Sequence, residues 1–339
     1  MRTVNETEVC CVRSSRRAIT RKIVNSLITL FLVIILNFFL FRVMPGDPVR
    51  LVIPNNPRIS PEYIAQMVEE FGLDQPLYLQ FFTYLKNTLF LEFGDSFTEL
   101  GTPALDIVLV KLKWTLILTG TSSVFMIVIG MSIGVIAAWR RGGRFDTGSL
   151  AFSLFFYAMP TFWFAMMLIV MFSTGLKWFP PDSALTYGNT LVWSWDCFVD
   201  LLRHLVLPAI SLTVGSIAAF SLIMRGSLVD VMTEEYITTA RAKGLTEGRV
   251  LKDHAVPNAM LPMVALIAID LAFVVGGAFQ TEVVFNYPGI GWETVEATYS
   301  KNYPILQAAF FLIAVAVIFA NLIADVLMVY LDPRVRLEG

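Results

Sequence analysis

The 339-residue sequence is poor in charged residues, cysteine and histidine, and each of these shortages argues against a class of protein or a kind of site. Only 15% of its residues are charged and 56% are hydrophobic, a balance typical of membrane proteins and not of soluble domains. The formal net charge of −2 gives no reason to expect nucleic-acid binding. Its three cysteines and two histidines have spacings that indicate neither a disulfide framework nor a metal site.

Nucleotide-binding and catalytic motifs are also missing. The sequence has no G-x-x-x-x-G-K-[ST] loop, the motif that cradles nucleotide phosphates. We find no Ser/His/Asp or Cys/His arrangement that would support nucleophilic catalysis. We therefore expect a chain that is not an enzyme, binds no cofactor of its own and holds no metal.

Six long apolar runs predict six transmembrane helices. The first, 23–43, follows a basic segment, 1–22, but it is too long for a signal peptide and lacks a cleavage site, so we interpret it as a retained span. The others are predicted at 114–139, 149–172, 204–224, 263–281 and 304–331. Pro160 interrupts the third run, and a kink is expected there because proline cannot donate a helical hydrogen bond.

The segment 44–113 differs from its neighbours in being rich in proline and acidic residues. Residues 60–72 have a capping serine, a proline at the first helical position and a final glycine, which predict a short helix. Residues 76–90 have the pattern of a second, amphipathic helix. We expect a small helical subdomain outside the membrane here, followed by a membrane core at 114–331 and a tail at 332–339.

The distribution of lysine and arginine predicts the orientation of the chain. Six spans place both termini on one side of the membrane. Sixteen of the 25 lysines and arginines lie in the N-terminal segment, the 139–146 turn, the loop 225–262 and the tail. Because positive loops stay in the cytoplasm, these segments are predicted to be cytoplasmic and 44–113 to lie outside.

A polar, helix-prone island at 235–262 separates the fourth and fifth runs. Thr233 is the predicted N-cap of a short helix and Gly244 its C-terminal stop, while Thr246 is predicted to cap a second helix. Small residues, Ala240 among them, would let another surface approach the backbone. A plain solvated loop is the simpler alternative. Four cations of the island surround these small residues: Arg241, Lys243, Arg249 and Lys252.

This island resembles the coupling loop of the permease subunits of ABC importers, a loop that docks into a groove of a separate ATPase subunit. The family pattern E-x-x-x-x-A-x-x-x-G is matched by Glu235, Ala240 and Gly244, with Pro257 at the expected distance. The histidine at position 254 is similar to that of the oligopeptide/dipeptide branch. The resemblance implies eight ATPase-coupling residues: Glu235, Tyr236, Ala240, Arg241, Lys243, Gly244, His254 and Pro257.

Other stretches resemble the same oligopeptide/dipeptide, and oligosaccharide, permease subunits in order along the chain, from Pro45-Gly46-Asp47-Pro48 to Asp332-Pro333-Arg334. The implied fold is the all-α, integral-membrane, type I ABC importer permease fold. Residues between Glu282 and Gly291 resemble the family's outer loop. Within it, the stretch from Asn286 to Gly291 is expected to form a tight turn that projects from the membrane, although a plain turn would also fit it. By resemblance it would touch a docked binding protein through Tyr287, Pro288, Gly289 and Gly291.

The resemblance implies that the chain forms half of the translocation pore of an ATP-driven importer in the cell membrane. Its implied partners are a second, homologous permease subunit, two ATPase subunits that form a heterodimer, and an extracytoplasmic substrate-binding protein. ATP and Mg would be bound by the ATPase subunits. Di- and oligopeptides are the implied solutes, and oligosaccharides, nickel or another small solute are the alternatives.

Carboxylates inside the apolar runs leave other functions open. Ionisable groups in a membrane are costly and by default suggest function, so Asp270 is a pore candidate, together with Pro160. Asp325 is close enough to the cytoplasmic end for a structural role, and Asn37 is expected to make an ordinary interhelical hydrogen bond. An ion-coupled secondary transporter that uses Asp270 and Asp325, and a scaffold that only recruits a cytoplasmic protein, remain alternatives.

Overall fold

The computed structural model describes residues 3–43, 75–99, 101–186, 188, 192–276 and 278–331. Side chains are described in the same ranges except at 3–19, 41–43, 272, 273, 275, 276 and 324–331. The predicted helix at 60–72, the family landmarks at 45–48 and 332–334, and the side chain of Asp325 lie outside the described residues.

Every regular element in these ranges is a helix, and one β-bridge between Asp95 and Pro103 is the only extended pairing in them. Two π-helical segments also occur: Ile169–Gly175 continues the helix Thr161–Leu168, and Val250–Ala255 joins the helices Glu247–Arg249 and Val256–Ala259. The α-helices are α1 Thr3–Val43, α2 Leu77–Leu89, α3 Ala104–Trp139, α4 Arg144–Tyr157, α5 Thr161–Leu168, α6 Trp195–Val231, α7 Glu235–Ala242, α8 Glu247–Arg249, α9 Val256–Ala259, α10 Leu261–Gly276, α11 Phe279–Val284, α12 Ile290–Tyr299 and α13 Tyr303–Leu331.

Four stretches are long and apolar enough to cross a membrane: Thr20–Leu40 of α1, the helices α3 and α6, and Tyr303–Ile323 of α13. Two bent pairs, α4 with α5 and Glu247–Ala259 with Leu261–Leu271, bring the number to six if each pair is one span. By length and composition the described helices therefore supply four to six spans, and in the second pair only Leu261–Leu271 falls on a predicted run, since Glu247–Ala259 lies in the loop predicted to be cytoplasmic.

The bend at Pro160 is much sharper than a proline kink inside one helix. The two halves of the pair, α4 and α5, meet at 98°. Pro160 has extended backbone angles, φ −60° and ψ 128°, and occupies the N-cap position of α5. Because its ring cannot continue α4, one helix ends at Tyr157 and the next begins at Thr161.

Two spanning helices begin earlier than the apolar runs predicted. The helix α3 begins at Ala104 and not at 114, directly after Pro103. The helix α6 begins at Trp195 and not at 204, where the Ser194 hydroxyl accepts a hydrogen bond from the Cys197 amide (3.2 Å). Hydrophobicity marks the part of a helix that suits a membrane, whereas proline and capping residues mark where the helix starts.

The helices α3 and α6 pack along most of their length. A Cβ atom on Gly130 would lie 2.6 Å from the Phe220 Cβ atom, and one on Gly134 would lie 2.6 Å from the Ser221 carbonyl oxygen. These glycines thus permit close packing of the two helices. The Asn37 amide donates to the Tyr84 hydroxyl (3.0 Å) and joins α1 to α2, which confirms the interhelical contact.

Candidate functional site

The predicted coupling loop begins with the short helix α7, which follows α6 after a tight turn. The Thr233 hydroxyl donates to the Asp230 carbonyl oxygen (2.7 Å), so it closes the end of α6. Glu234 occupies the N-cap position of α7 without a side-chain capping bond. The prediction that Thr233 caps this helix is therefore wrong, because its hydroxyl serves the preceding helix.

Gly244 ends α7, as predicted. Its φ of +79° lies in the left-handed region, and its amide donates to the Arg241 carbonyl oxygen (2.9 Å). A Cβ atom at this position would meet no atom within 4 Å. The backbone conformation, and not crowding within the chain, therefore requires glycine here. Thr246 then takes the N-cap position of α8, also as predicted, but its side chain makes no capping bond.

One face of α7 is anchored in the core of the chain. Ile237 is fully buried and Ala240 is 6% exposed, and both belong to an apolar cluster with Met224 and Leu228 of α6. We expected Ala240 to offer a small surface to a partner. That expectation is wrong, because a residue three positions after Ile237 lies on the same, inward face of a helix.

The other face of α7 is exposed and carries Glu235 and Tyr236, and Lys243, the residue that follows the helix, is exposed as well. Desolvation by the protein and the nearby charge of Glu234 raise the pKa of the Tyr236 hydroxyl, so this group stays neutral at physiological pH and can donate a hydrogen bond. His254 is half-buried and Pro257 is exposed. Apart from Ala240, the predicted coupling residues are thus at least partly accessible.

Two ion pairs brace this region, and the sequence analysis predicted neither. Arg241, an exposed residue predicted to take part in coupling, binds Glu247 through two hydrogen bonds of 2.9 and 3.3 Å and so ties α7 to α8. Arg225 of α6 binds the buried Asp146 of α4 in the same bidentate way, at 2.5 and 2.8 Å. The amide of Gly142 adds a third hydrogen bond to Asp146 (2.9 Å). Since Arg225 and Asp146 are 79 positions apart, no local pattern could have linked them.

The segment α11–α12 packs inward against α3, so three of the four residues predicted to touch a binding protein are covered within the chain. Tyr287 is completely buried, with its ring edge-on to Trp114 at a centroid distance of 6.3 Å. Gly289 and Gly291 are buried as well, and Pro288 is half-buried. These four residues therefore do not form an exposed face for a binding protein.

Glu282 accounts for the inward fold. Its buried carboxylate accepts hydrogen bonds from the Thr115 hydroxyl (2.8 Å) and from the amides of Gly291 (2.7 Å) and Trp292 (3.2 Å) at the start of α12. Burial raises the pKa of this carboxyl group, and these hydrogen bonds act against that rise. A Cβ atom on Gly291 would lie 2.8 Å from Oε2 of Glu282, and one on Gly289 would collide with the same carboxyl group. Both glycines are needed because the carboxylate approaches the backbone so closely.

The two pore candidates occupy different kinds of position. Asp270 lies inside α10, where the Ser123 hydroxyl of α3 hydrogen-bonds to its carboxylate. Its Oδ2 atom is buried and has no hydrogen-bond partner among the described residues. Pro160 lies exposed in the break between α4 and α5. A pore-lining role stays a prediction for both residues.

Comparisons with known proteins cover most of the chain. Residues 130–337 match the family described as binding-protein-dependent transport system inner membrane component, and residues 16–113 match the N-terminal family of such membrane components. The chain is 34% identical over 318 residues to the oligopeptide transport system permease protein AppB of Bacillus subtilis (strain 168), covering 94% of this chain and 98% of AppB.

Two further relatives are equally well covered. The di/tripeptide transport system permease protein DppB of Pseudomonas aeruginosa (strain UCBPP-PA14) is 35% identical over 321 residues, or 91% of this chain and 95% of DppB. The glutathione transport system permease protein GsiC of Escherichia coli (strain K12) is 34% identical over 322 residues, or 94% and 98%.

One solved structure has a similar fold. It is a chain of the MetNI methionine ABC transporter in inward-facing conformations, with a TM-score of 0.53 and 19% identity. The match covers 67% of this chain and 96% of that chain. At this identity the likeness concerns the fold alone.

Proposed function

Because the chain belongs to the family of binding-protein-dependent transport system inner membrane components, we propose that it forms half of the translocation pore of an ATP-driven peptide importer. It is a multi-pass inner-membrane protein with the all-helical type I permease fold. Di- and oligopeptides are the proposed solutes, because relatives that match it over nearly their whole length are named for oligopeptides, di- and tripeptides and glutathione.

The observation that carries the proposal is the two-sided character of α7. A helix of eight residues is too short to be stable alone in water. Its stability must come from Ile237 and Ala240, which pack against α6, while Glu235, Tyr236 and Lys243 face outward. A protein that grips the outward face would therefore move α6 together with α7, which is what a coupling helix must do.

The proposed partners supply nucleotide binding, the other half of the pore and the solute. Without a phosphate-cradling loop in its sequence, it requires two ATPase subunits, a heterodimer in our proposal, to bind ATP and Mg. A second permease subunit would complete the pore, and an extracytoplasmic binding protein would deliver the peptide. ATP binding would draw the ATPase subunits together and supply the free-energy difference between inward-facing and outward-facing states.

One observation favours a second candidate, an ion-coupled secondary transporter. The unpartnered Oδ2 atom of Asp270 is a buried carboxylate oxygen on a membrane helix, and such groups often relay protons. In that case, uptake would persist without the ATPase subunits and would fail in Asp270→Asn. Import of oligosaccharides by the same ATP-driven machinery is the alternative for the solute.

A tagged pull-down from mild detergent tests the proposal. The wild type is expected to recover a second permease subunit and the ATPase subunits, and Gly244→Arg to lose the ATPase subunits alone. Gly101→Arg is the matched control, because Gly101 also has a left-handed φ (+79°) and open space around its Cβ position but lies in the segment 44–113, away from α7. ATPase subunits that stay bound to Gly244→Arg, or a wild-type chain that is recovered alone, would contradict the proposal.

A further inference from the structure

The buried carboxylate of Glu282 is the centre of a polar contact between α3 and the segment α11–α12. The Thr115 hydroxyl of α3 donates to Oε1 of Glu282 (2.8 Å) and accepts from the Ile290 amide (2.8 Å). Oε2 of Glu282 accepts from the next two amides of α12, as described above. One threonine and one carboxylate thus satisfy three backbone amides at the start of α12, groups that have no partner within their own helix.

A second contact between α3 and α12, an ion pair, lies one turn away on the same face of α3. Lys111 precedes Thr115 by four positions, and its Nζ atom lies 2.9 Å from Oε2 of Glu293. The same ammonium group lies 4.6 Å from the centre of the Trp292 ring. The side chains of Lys111 and Glu293 are only 20% and 12% exposed, so solvent screens this pair less than it screens a surface pair. We call Lys111, Thr115, Glu282 and Glu293 the latch.

The latch requires an acceptor at both carboxyl oxygens of Glu282. Each oxygen faces hydrogen-bond donors, and the positive end of the α12 dipole lies beside them. An ionised glutamate meets this requirement. A glutamine can keep its carbonyl oxygen on the two amides only by turning its NH₂ group toward the Thr115 hydroxyl, which must then stop donating, and it removes the charge that the α12 dipole favours. Glu282→Gln is therefore expected to weaken the latch although it hardly changes the volume of the side chain.

The same helix α3 also reaches the apolar cluster against which α7 packs. Near its other end, Gly130 and Gly134 bring it against α6, and Ala138 belongs to the apolar cluster that contains Ile237. From Thr115 to Ala138 the helix rises about 35 Å at 1.5 Å per residue. One continuous helix, α3, therefore connects the latch to the apolar cluster against which α7 packs. This helix packs extensively against α6.

We propose that Glu282 is a positioning residue for transport, which fixes α11–α12 to α3 so that this segment and the coupling helix α7 move as one body. The inference rests on the proposed function. It predicts that motion imposed on α7 by ATP reaches α11–α12 through α3. When the latch is broken, ATP hydrolysis continues but the segment no longer follows, and less peptide is transported per ATP.

Proteoliposomes that contain the complete importer, with its binding protein and a radiolabelled dipeptide, test this inference. Both Glu282→Gln and Thr115→Val are expected to lower the peptide transported per ATP by about tenfold, the scale of coupling changes along such a path. The conservative variant Thr115→Ser keeps the hydroxyl group and is expected to restore the ratio. Glu296→Gln, on the exposed side of α12, is the matched control and is expected to behave as wild type.

A distance measurement separates coupled motion from simple stability. Spin labels at positions 238 of α7 and 296 of α12, both exposed, are introduced after Cys10, Cys11 and Cys197 are replaced. With an intact latch, the distance between the labels is expected to stay the same with and without ATP. In Thr115→Val the distribution is expected to broaden or shift when ATP is added.

Three results would overturn the inference. The first is a Glu282→Gln importer with the wild-type ratio of peptide to ATP. The second is a parallel loss of uptake, hydrolysis and complex assembly in Glu282→Gln and Thr115→Val, since the latch would then serve folding only. The third is a label distance that changes with ATP in the intact chain. A wild-type complex that shows no ATP-driven uptake would instead overturn the proposed function.

Discussion

Replacing Ile237 by alanine should loosen α7 from the core of the chain. Ile237 has no exposed surface, and truncating such an isoleucine costs about 2–5 kcal/mol. The only other buried residue of this eight-residue helix is Ala240, so little remains to hold it. The Lys243 and Gly244 amides donate to carbonyl oxygens at the end of α7 and therefore report its opening. Each 1.4 kcal/mol or so changes the equilibrium constant for opening tenfold, so these amides should exchange hydrogen about 30- to 5,000-fold faster.

Hydrogen exchange followed by mass spectrometry in detergent measures this opening. Ile237→Val keeps most of the side chain, and a cost of about 0.5–1.5 kcal/mol should speed exchange by only about 2- to 13-fold. Thr238→Ala, on the exposed side of the same helix, is the control and should change little. If Ile237→Ala exchanged within about threefold of the wild type, packing of Ile237 would not be what holds α7, and the argument from burial would be refuted.

The remaining predictions concern the ion pair between Arg225 and Asp146, the end of α7 at Gly244, and the carboxylate of Asp270. Arg225→Met leaves the buried Asp146 without its partner and should cost about 3 kcal/mol, the low end for a buried pair because Arg225 is 24% exposed; the apparent melting temperature in detergent should fall, and adding Asp146→Leu should restore most of it. Gly244→Ala should destabilise the end of α7 by about 1 kcal/mol through its left-handed backbone, with faster exchange of the Gly244-position amide as the measure, and unchanged exchange would refute this. Asp270→Asn should leave ATP-driven uptake in place, whereas its loss together with the response to a proton gradient would favour the ion-coupled alternative.

The apolar helices and the short helix α7 could be predicted because their signals are local. Apolar runs gave six spans, and the structure accommodates six when each bent pair is counted once. The position of Gly244 marked the end of α7, because a glycine after a short polar helix favours the left-handed conformation that the structure has. The break at Pro160 was also predicted, although its 98° angle depends on how α4 and α5 pack and was not.

What the sequence could not reveal depends on contacts between distant residues. The latch joins Thr115 to Glu282 across 167 positions, and no periodicity connects them. Without that contact, the stretch from Tyr287 to Gly291 has the pattern of an exposed turn, since proline and glycine usually indicate one. Ala240 was misplaced for a related reason, because its smallness fits either an external partner or the internal cluster to which it belongs.

Accumulation of a radiolabelled dipeptide in proteoliposomes that contain this chain and its importer partners tests the central claim most directly. Our account predicts accumulation that requires both the binding protein and ATP on the side that α7 faces, and that persists when the proton gradient is dissipated. Accumulation without ATP that is driven by a proton gradient, or none with any peptide despite a fully assembled complex, would contradict it.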